Sequence, residues 1–228
     1  MPSEDASLYR LMSWLSPSYP VGAYTYSHGL EYAVERGFVC NAETARLWIE
    51  DLVARGGGFS DAAFLAAAHR AAAAGDDEGV RQVAELAAVF VPTRELALES
   101  HAQGRAFRDV TMKAWPCAAL DRLVRDWSGP LAYPVVVGVA AAGHGMALPP
   151  VLIAYLHAFS SNLVSAVVRL VPLGQTEGQK ITARLEATIS AVASAAAACR
   201  LDELGTAVPR ADLCSMNHET QYTRLFRS

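Results

Sequence analysis

The sequence predicts an all-α protein, and three observations carry that prediction. Nearly every longer segment repeats its apolar side chains at three-and-four spacing, no run of alternating β-branched residues stands out, and prolines and capping residues fall where the periods stop.

Taken in order, Leu8, Leu11, Met12 and Leu15 make a short first helix that must end before Pro17, because a proline disfavours helical backbone in the residue ahead of it. The connector "SPSYPVG" is stiffened by two prolines, and a second helix is predicted from about Ala23 to Arg36, closed by Gly37. Asn41 offers a side-chain acceptor to the free amides of a third helix, "AETARLWIEDLVAR", with Ala45, Trp48, Ile49, Leu52 and Val53 as its apolar face. The glycine run Gly56 to Gly58 is read as its end. Ser60 is read as the cap of the next helix and Asp76 or Asp77 as the cap of another, and Pro92 breaks the chain ahead of "TRELALESHAQGRAFRDV". After Pro116 come a short helix, a helix from Pro134 to Met146, and a long one on which Leu152, Tyr155, Leu156, Phe159, Leu163, Val167 and Leu170 share one face.

An alanine-rich helix from about Gln175 to Leu204 closes the series. Its stripe of Ile181, Leu185, Ile189, Val192, Ala196 and Cys199 predicts a central position. Its alanines, and Gly104, Gly138 and Gly143 inside other helices, let backbones approach closely. The whole reads as a single-domain bundle of about ten helices. The remaining stretch, "VPRADLCSMNHETQYTRLFRS", is polar, mixed in charge and weakly periodic, a tail either frayed or held by something.

Bulk properties narrow the function. A chain of 228 residues buries roughly 70–75% of its unfolded surface and needs no covalent staples. A net charge of −4 with scattered basic residues offers no broad attraction to nucleic acid. Cys40, Cys117, Cys199 and Cys214 are unevenly spaced and include no C-x-x-C pair, which fits reduced thiols in a cytoplasmic protein. The acidic opening "MPSEDASLYR" lacks the pattern of a secretory signal. The best membrane candidate, Val151 to Val171, is interrupted by His157, Ser160, Ser161, Asn162 and Arg169, so a buried helix without a membrane is expected. A composition 52% hydrophobic also suggests that part of the surface is covered by partners.

No chemical motif is complete. "RLVPLGQTEGQK" looks like a phosphate cradle, but Gly174 and Gly178 are too close, Gln179 separates them from Lys180, Ile181 replaces the metal-binding hydroxyl, and a helix rather than a strand precedes it. It reads as a helix-to-helix turn, stopped by Pro172 and freed by Gly174. His218-Glu219 begins H-E-x-x-H, but Tyr222 stands at the second ligand position. Cys214 and His218 could share a helical face as a metal pair, yet two ligands alone bind weakly. His144 reads as a packing histidine. Tyr24, His28, Glu31 and Glu35 form a polar-aromatic face more typical of an interface than of catalysis. His157, Ser161, Ser165 and Arg169 recur every fourth residue as a polar stripe suited to a second helix, in this chain or another copy. Neither a nucleophile elbow nor a dinucleotide fingerprint is present.

Five segments in the same order, "LSPSYPVGAYTYSHGLE", "TRELALESHAQGR", "PVVVGVAAAGHG", "NLVSAVVRLVPLGQTEGQK" and "SMNHETQYTRLFRS", resemble the UreF family of urease accessory proteins over nearly the whole chain. His28 departs from the glutamine associated with that position in the family, which argues against a family role for it. The resemblance implies an all-helical, non-enzymatic chaperone for nickel insertion into urease. It implies a dimer that pairs with UreD (also called UreH) and the GTPase UreG, engages apo-urease and regulates the GTP-dependent maturation of its nickel site, with nickel and GTP handled by those partners rather than bound here. It also implies a UreF-like domain over residues 1–208 and a docking tail over 209–228 that orders on UreD, so that a chain lacking Asp212 to Ser228 stays folded but loses UreD.

Because aromatic and arginine side chains carry most interface energy, Tyr24, Tyr26, Tyr222, Arg224 and Phe226 are the expected anchors. Glu31 and the turn residues Gln175, Thr176, Gln179 and Lys180 join them as partner-binding candidates, while no catalytic residue is assigned. The competing reading is a small helical enzyme or metal carrier built on Cys214 and His218.

Overall fold

A computed structural model describes residues 3–228 and shows an all-α domain, with no strand among them. α1 (Glu4–Trp14) starts on Ser3, whose side chain accepts the Ala6 amide. A 3-10 turn (Ala23–Thr25) and α2 (Leu30–Glu35) follow. α3 (Ala42–Arg55) carries the expected cap, the Asn41 side chain accepting from the amides of Glu43 and Thr44. α4 (Gly57–Ala74), α5 (Asp77–Val89), α6 (Arg94–Ala114) and α7 (Ala118–Asp126) run into α8 (Tyr133–Gly143), α9 (Leu148–Leu170) and α10 (Gln175–Arg184). α11 (Glu186–Ala198), a second 3-10 turn (Leu201–Glu203) and α12 (Pro209–His218) complete the chain. Asp76 caps α5 through the Gly79 amide, and Thr93 caps α6 through the Leu96 amide.

The bundle is organised around α4 and α8, which have the most extensive contact of any pair. α8 is buried from Pro134 to Ala141, as a helix apolar on all sides requires. Small residues allow the approach: a Cβ on Gly138 would lie 2.5 Å from the Leu65 carbonyl oxygen, and one on Gly104 would lie 2.1 Å from that of Leu131. α3, α5, α9 and α11 pack around α4, while α6 and α7 cover α8.

Several elements differ from their sequence reading. The predicted helix over Ala23 to Arg36 is split, because His28 and Gly29 both take positive φ, 54° and 72°. Gly57 and Gly58 open α4 rather than closing α3, and Ser60 sits inside that helix, its hydroxyl bonded to the Gly57 carbonyl. The alanine-rich helix breaks at Leu185, whose amide is shared between the carbonyls of Ile181 and Thr182. It lies at the side of the bundle on α4 and α9, with α4 and α8 holding the centre. On α1 the buried positions are Leu11 and Trp14, whereas Leu8 and Met12 face outward. The break at Leu185 and the helical start of the tail account for twelve helices among the described residues instead of ten.

The Gly174 segment is a turn between α9 and α10, with the amides of Glu177 and Gly178 returning to the Gly174 carbonyl. α9 is long and apolar enough to cross a membrane, but half of its apolar window is buried inside the fold. His144 is a packing group: one ring nitrogen faces the Trp115 carbonyl at 3.0 Å and the other the Arg10 guanidinium at 2.9 Å.

The glycine contact gives a direct test. Gly138→Ala is expected to lose about 1–3 kcal/mol by overpacking α4 against α8, while Gly174→Ala, with open space around the added methyl, should stay within about 0.5 kcal/mol. Urea denaturation of both variants measures the difference, and equal stabilities would contradict the packing.

Candidate functional site

The last twenty residues are held by carboxyl groups buried on two other helices. Glu95, Glu99 and Gln103 recur every fourth residue along α6 and are all buried, as is Glu31 on α2. The Leu225 and Phe226 amides donate to Glu31 Oε1 and Oε2 at 2.6 and 2.8 Å. His218 is fully buried at the end of α12, with Nδ1 2.7 Å from Glu95 Oε2 and Nε2 3.2 Å from Glu31 Oε2. The imidazole thus bridges the carboxyl groups of two helices, one at each ring nitrogen. Arg224 reaches Glu95 Oε1 at 3.0 Å, and the Ser228 hydroxyl donates to Glu99 Oε2 at 2.8 Å.

Backbone and packing contacts complete the seat. The Ser27 amide and hydroxyl both donate to the Ser228 carbonyl, and the Arg227 amide donates to the Thr25 carbonyl. The Thr93 and Ser215 hydroxyls meet at 2.8 Å, and the Arg169 guanidinium lies 4.3 Å over the Phe226 ring. Gly29 makes the approach of α12 possible, since a Cβ there would lie 2.6 Å from the Ser215 amide nitrogen. A charge left in such a place without its partner is strongly unfavourable, which ties the position of the tail to the stability of the domain.

Beside this seat lies a cavity of about 300 Å³ reaching from Trp14 to Thr206. Its walls include Phe64, Phe90, Tyr133, Tyr155 and Phe159, its carboxyl groups are those of Asp61, Glu99 and Asp212, and the imidazoles of His28 and His157 also line it, with no lysine or arginine in the lining. Tyr155 donates to Asp61 Oδ2 at 2.7 Å, and His28 Nε2 sits 2.9 Å from Glu99 Oε1. Burial pushes the Asp61 carboxyl up to about 6, against the hydrogen bond from Tyr155 and the charge of His28, which lower it. Burial alone would lower His28, but the charge and hydrogen bond of Glu99 outweigh it and the net shift is upward. Burial and the Asp61 charge raise the Tyr155 phenol well above its ordinary value.

The residues proposed from sequence are scattered. Tyr222 is fully exposed and Tyr24 is 63% exposed, while Tyr26 and Phe226 are buried in the fold at 7% and 4%. Arg224 divides its side chain between solvent and Glu95, and Glu31 faces the tail. Gln175, Thr176, Gln179 and Lys180 are exposed on α10, and Lys180 pairs with Glu177 at 2.7 Å. Cys214 is buried and both nitrogens of His218 face carboxyl groups of Glu95 and Glu31. No group of three or more His, Cys, Asp or Glu side chains is arranged to hold a metal ion among the described residues.

Sequence reading did not single out Glu95, Glu99, Asp61 or Tyr155. The four-residue spacing of Glu95, Glu99 and Gln103 marks a helical face, but nothing local says that the face is buried.

A family model described as UreF matches residues 39–186, well over half the chain. The chain belongs to the UreF family of urease accessory proteins. It is 52% identical over 225 residues to the urease accessory protein UreF of Bradyrhizobium diazoefficiens, an alignment covering 99% of this chain and 93% of that protein. Identity to the protein of the same name from Rhodopseudomonas palustris strain BisB5 is 53%, with the same coverage. For Bradyrhizobium sp. strain ORS 278 it is 51% over 226 residues, covering 99% and 94%. These near full-length alignments extend to the UreF family the α2 and α12 regions that lie beyond the span of the family model.

Two measurements check the site. His218→Ala leaves Glu31 and Glu95 buried without their shared partner and is expected to cost about 3–5 kcal/mol, with trypsin cutting after Arg224 far sooner than in the unaltered chain; a tail equally protected in both would contradict the assignment. For Asp61 the sign follows from its raised value. The folded state holds the proton more tightly between about pH 4 and 6, so ionisation destabilises the fold above that window and not below it. Asp61→Asn should gain on the order of 1–3 kcal/mol at pH 8 and almost nothing at pH 4, read from denaturation midpoints.

Proposed function

We propose that this member of the UreF family is a non-catalytic cytoplasmic scaffold for nickel insertion into urease, holding UreD (UreH) on the face built by its C-terminal segment and bringing UreG to the same assembly. The observation that carries this reading is the outer surface of the seated tail. While the inner side is consumed by Glu31, Glu95 and Glu99, Leu213, Met216, Tyr222 and Leu225 point outward and are exposed. Exposed apolar side chains recurring along one short segment mark a protein interface. α1 adds Leu8, Tyr9 and Met12, each more than half exposed, as further apolar surface for assembly with a second copy or another factor.

In this reading the GTP site belongs to UreG, and the exposed turn residues Gln175, Thr176, Gln179 and Lys180 shape surface. Nickel is cargo of the assembly and apo-urease its destination. The carrier reading draws no support from Cys214 and His218, because both ring nitrogens of the histidine face carboxyl groups.

Truncation at Asp212 would strip the donors from buried Glu31, Glu95 and Glu99, so it tests folding and binding together. Outward-facing substitutions separate the two. Tyr222→Ala combined with Leu213→Asp is expected to leave the helical circular dichroism and melting temperature unchanged and to reduce co-purification with UreD at least tenfold when the two are co-expressed with UreG. Unchanged complex on sizing would refute the docking face.

A further inference from the structure

The cavity beside the tail seat is built unlike a structural void. Empty cavities in proteins are apolar, and those that hold only water are lined by polar groups that satisfy it. This one combines a mainly aromatic and aliphatic wall with the carboxyl groups of Asp61 near the start of α4, Glu99 on α6 and Asp212 on α12. Asp61 receives a hydrogen bond at Oδ2 from Tyr155, the sole donor to it among the described residues, and the cationic group whose charge acts on it, His28, is paired instead with Glu99. Buried carboxylates are ordinarily paired with a cation or engaged by several donors. Asp61 is therefore incomplete in a way that a ligand of opposite charge would complete.

Size and lining define that ligand. A volume of about 300 Å³ is at the low end of small-molecule pockets, too small for a nucleotide or a folded peptide segment. Walls of Trp14, Phe64, Tyr133 and Phe159 favour an apolar body with a polarisable cationic head, for which aromatic rings and carboxylates are the matching surfaces. A strongly hydrated divalent ion finds no cluster of three ligating side chains among the described residues. Exposed Tyr24, His157, Ser165 and Thr206 lie along the lining and form an entrance from solvent.

We propose that this cavity is a binding site for a small organic cation, an ammonium or guanidinium group on a compact apolar body, received by Asp61 with the aromatic wall around it. His28 is engaged by Glu99 at 2.9 Å and acts on Asp61 through its charge, with no hydrogen bond to it, which leaves Asp61 Oδ1 as the free acceptor. Glu99 also accepts from Ser228, so the wall of the cavity and the seat of the tail share a side chain.

Isothermal titration of the full chain with benzyltrimethylammonium chloride at pH 8 tests the site, with benzyl alcohol as the neutral probe and nickel chloride as the divalent probe. The expected result is saturable one-to-one binding of the ammonium compound, at least tenfold tighter than benzyl alcohol and at least tenfold weaker in Asp61→Asn. Binding should also weaken as pH falls from 8 to 5, since protonated Asp61 no longer attracts the cation. Ala158→Phe reduces the cavity without altering any carboxyl group and should abolish binding while the melting temperature reports an intact fold. No binding of the ammonium compound, equal affinity for benzyl alcohol, an undiminished affinity in Asp61→Asn, or one-to-one nickel binding lost in Asp61→Asn would each overturn the proposal.

Discussion

The arrangement of this chain depends on carboxyl groups placed where water does not reach them. Glu31, Glu95 and Glu99 are all buried, and apart from Gln103, which donates to Glu99 from the next turn of α6, what neutralises or hydrogen-bonds them comes from elsewhere in the sequence: His218, Arg224, Ser228 and the amides of Leu225 and Phe226 from the tail, His28 from the loop before α2. Buried charge of this kind contributes specificity more than net stability, because well-packed apolar side chains would hold the same surfaces together at least as firmly. Its effect is to define one position for the tail, since a displaced segment leaves several carboxyl groups unsatisfied at once.

The same economy runs through the core. α4 and α8 approach through Gly138 and a run of alanines, so their contact rests on closeness of backbone rather than on large interlocking side chains. Bulk is concentrated instead around Trp14, whose ring meets Phe107, Trp115 and His144 edge-on at centroid distances of 5.6, 6.1 and 5.3 Å. Between these two regimes lies the cavity with Asp61, a group that burial makes unfavourable to ionise. A side chain that works against stability and sits in a recess with aromatic walls is characteristic of a site shaped by binding rather than by folding.

Much of the fold was legible in the sequence because helical period and caps are local. Asn41 and Asp76 cap helices as read, the face Ala45, Ile49, Leu52 and Val53 is buried, and Gly104 and Gly138 mark close contacts. What escaped was decided at long range. Glu95 and Glu99 look like solvated helix positions until a segment more than a hundred residues later covers them. The tail reads as either frayed or held, with no sign of which, because its hydrogen bonds run to side chains of α2 and α6 and leave no periodic trace. Tyr26 and Phe226 look like surface anchors by residue type, and burial alone distinguishes them from Tyr24 and Tyr222. The breaks at His28 and Leu185 have no proline to announce them.

Glu31 grips the tail through backbone amides of Leu225 and Phe226, groups that every residue but proline possesses. Attachment at Leu225, whose side chain is exposed, is consequently blind to most changes of side chain, and the outward face of that segment is free to drift while buried Phe226 is held. Lineages could rewrite the chemistry displayed there to suit a different companion while the anchorage beneath stays as it is.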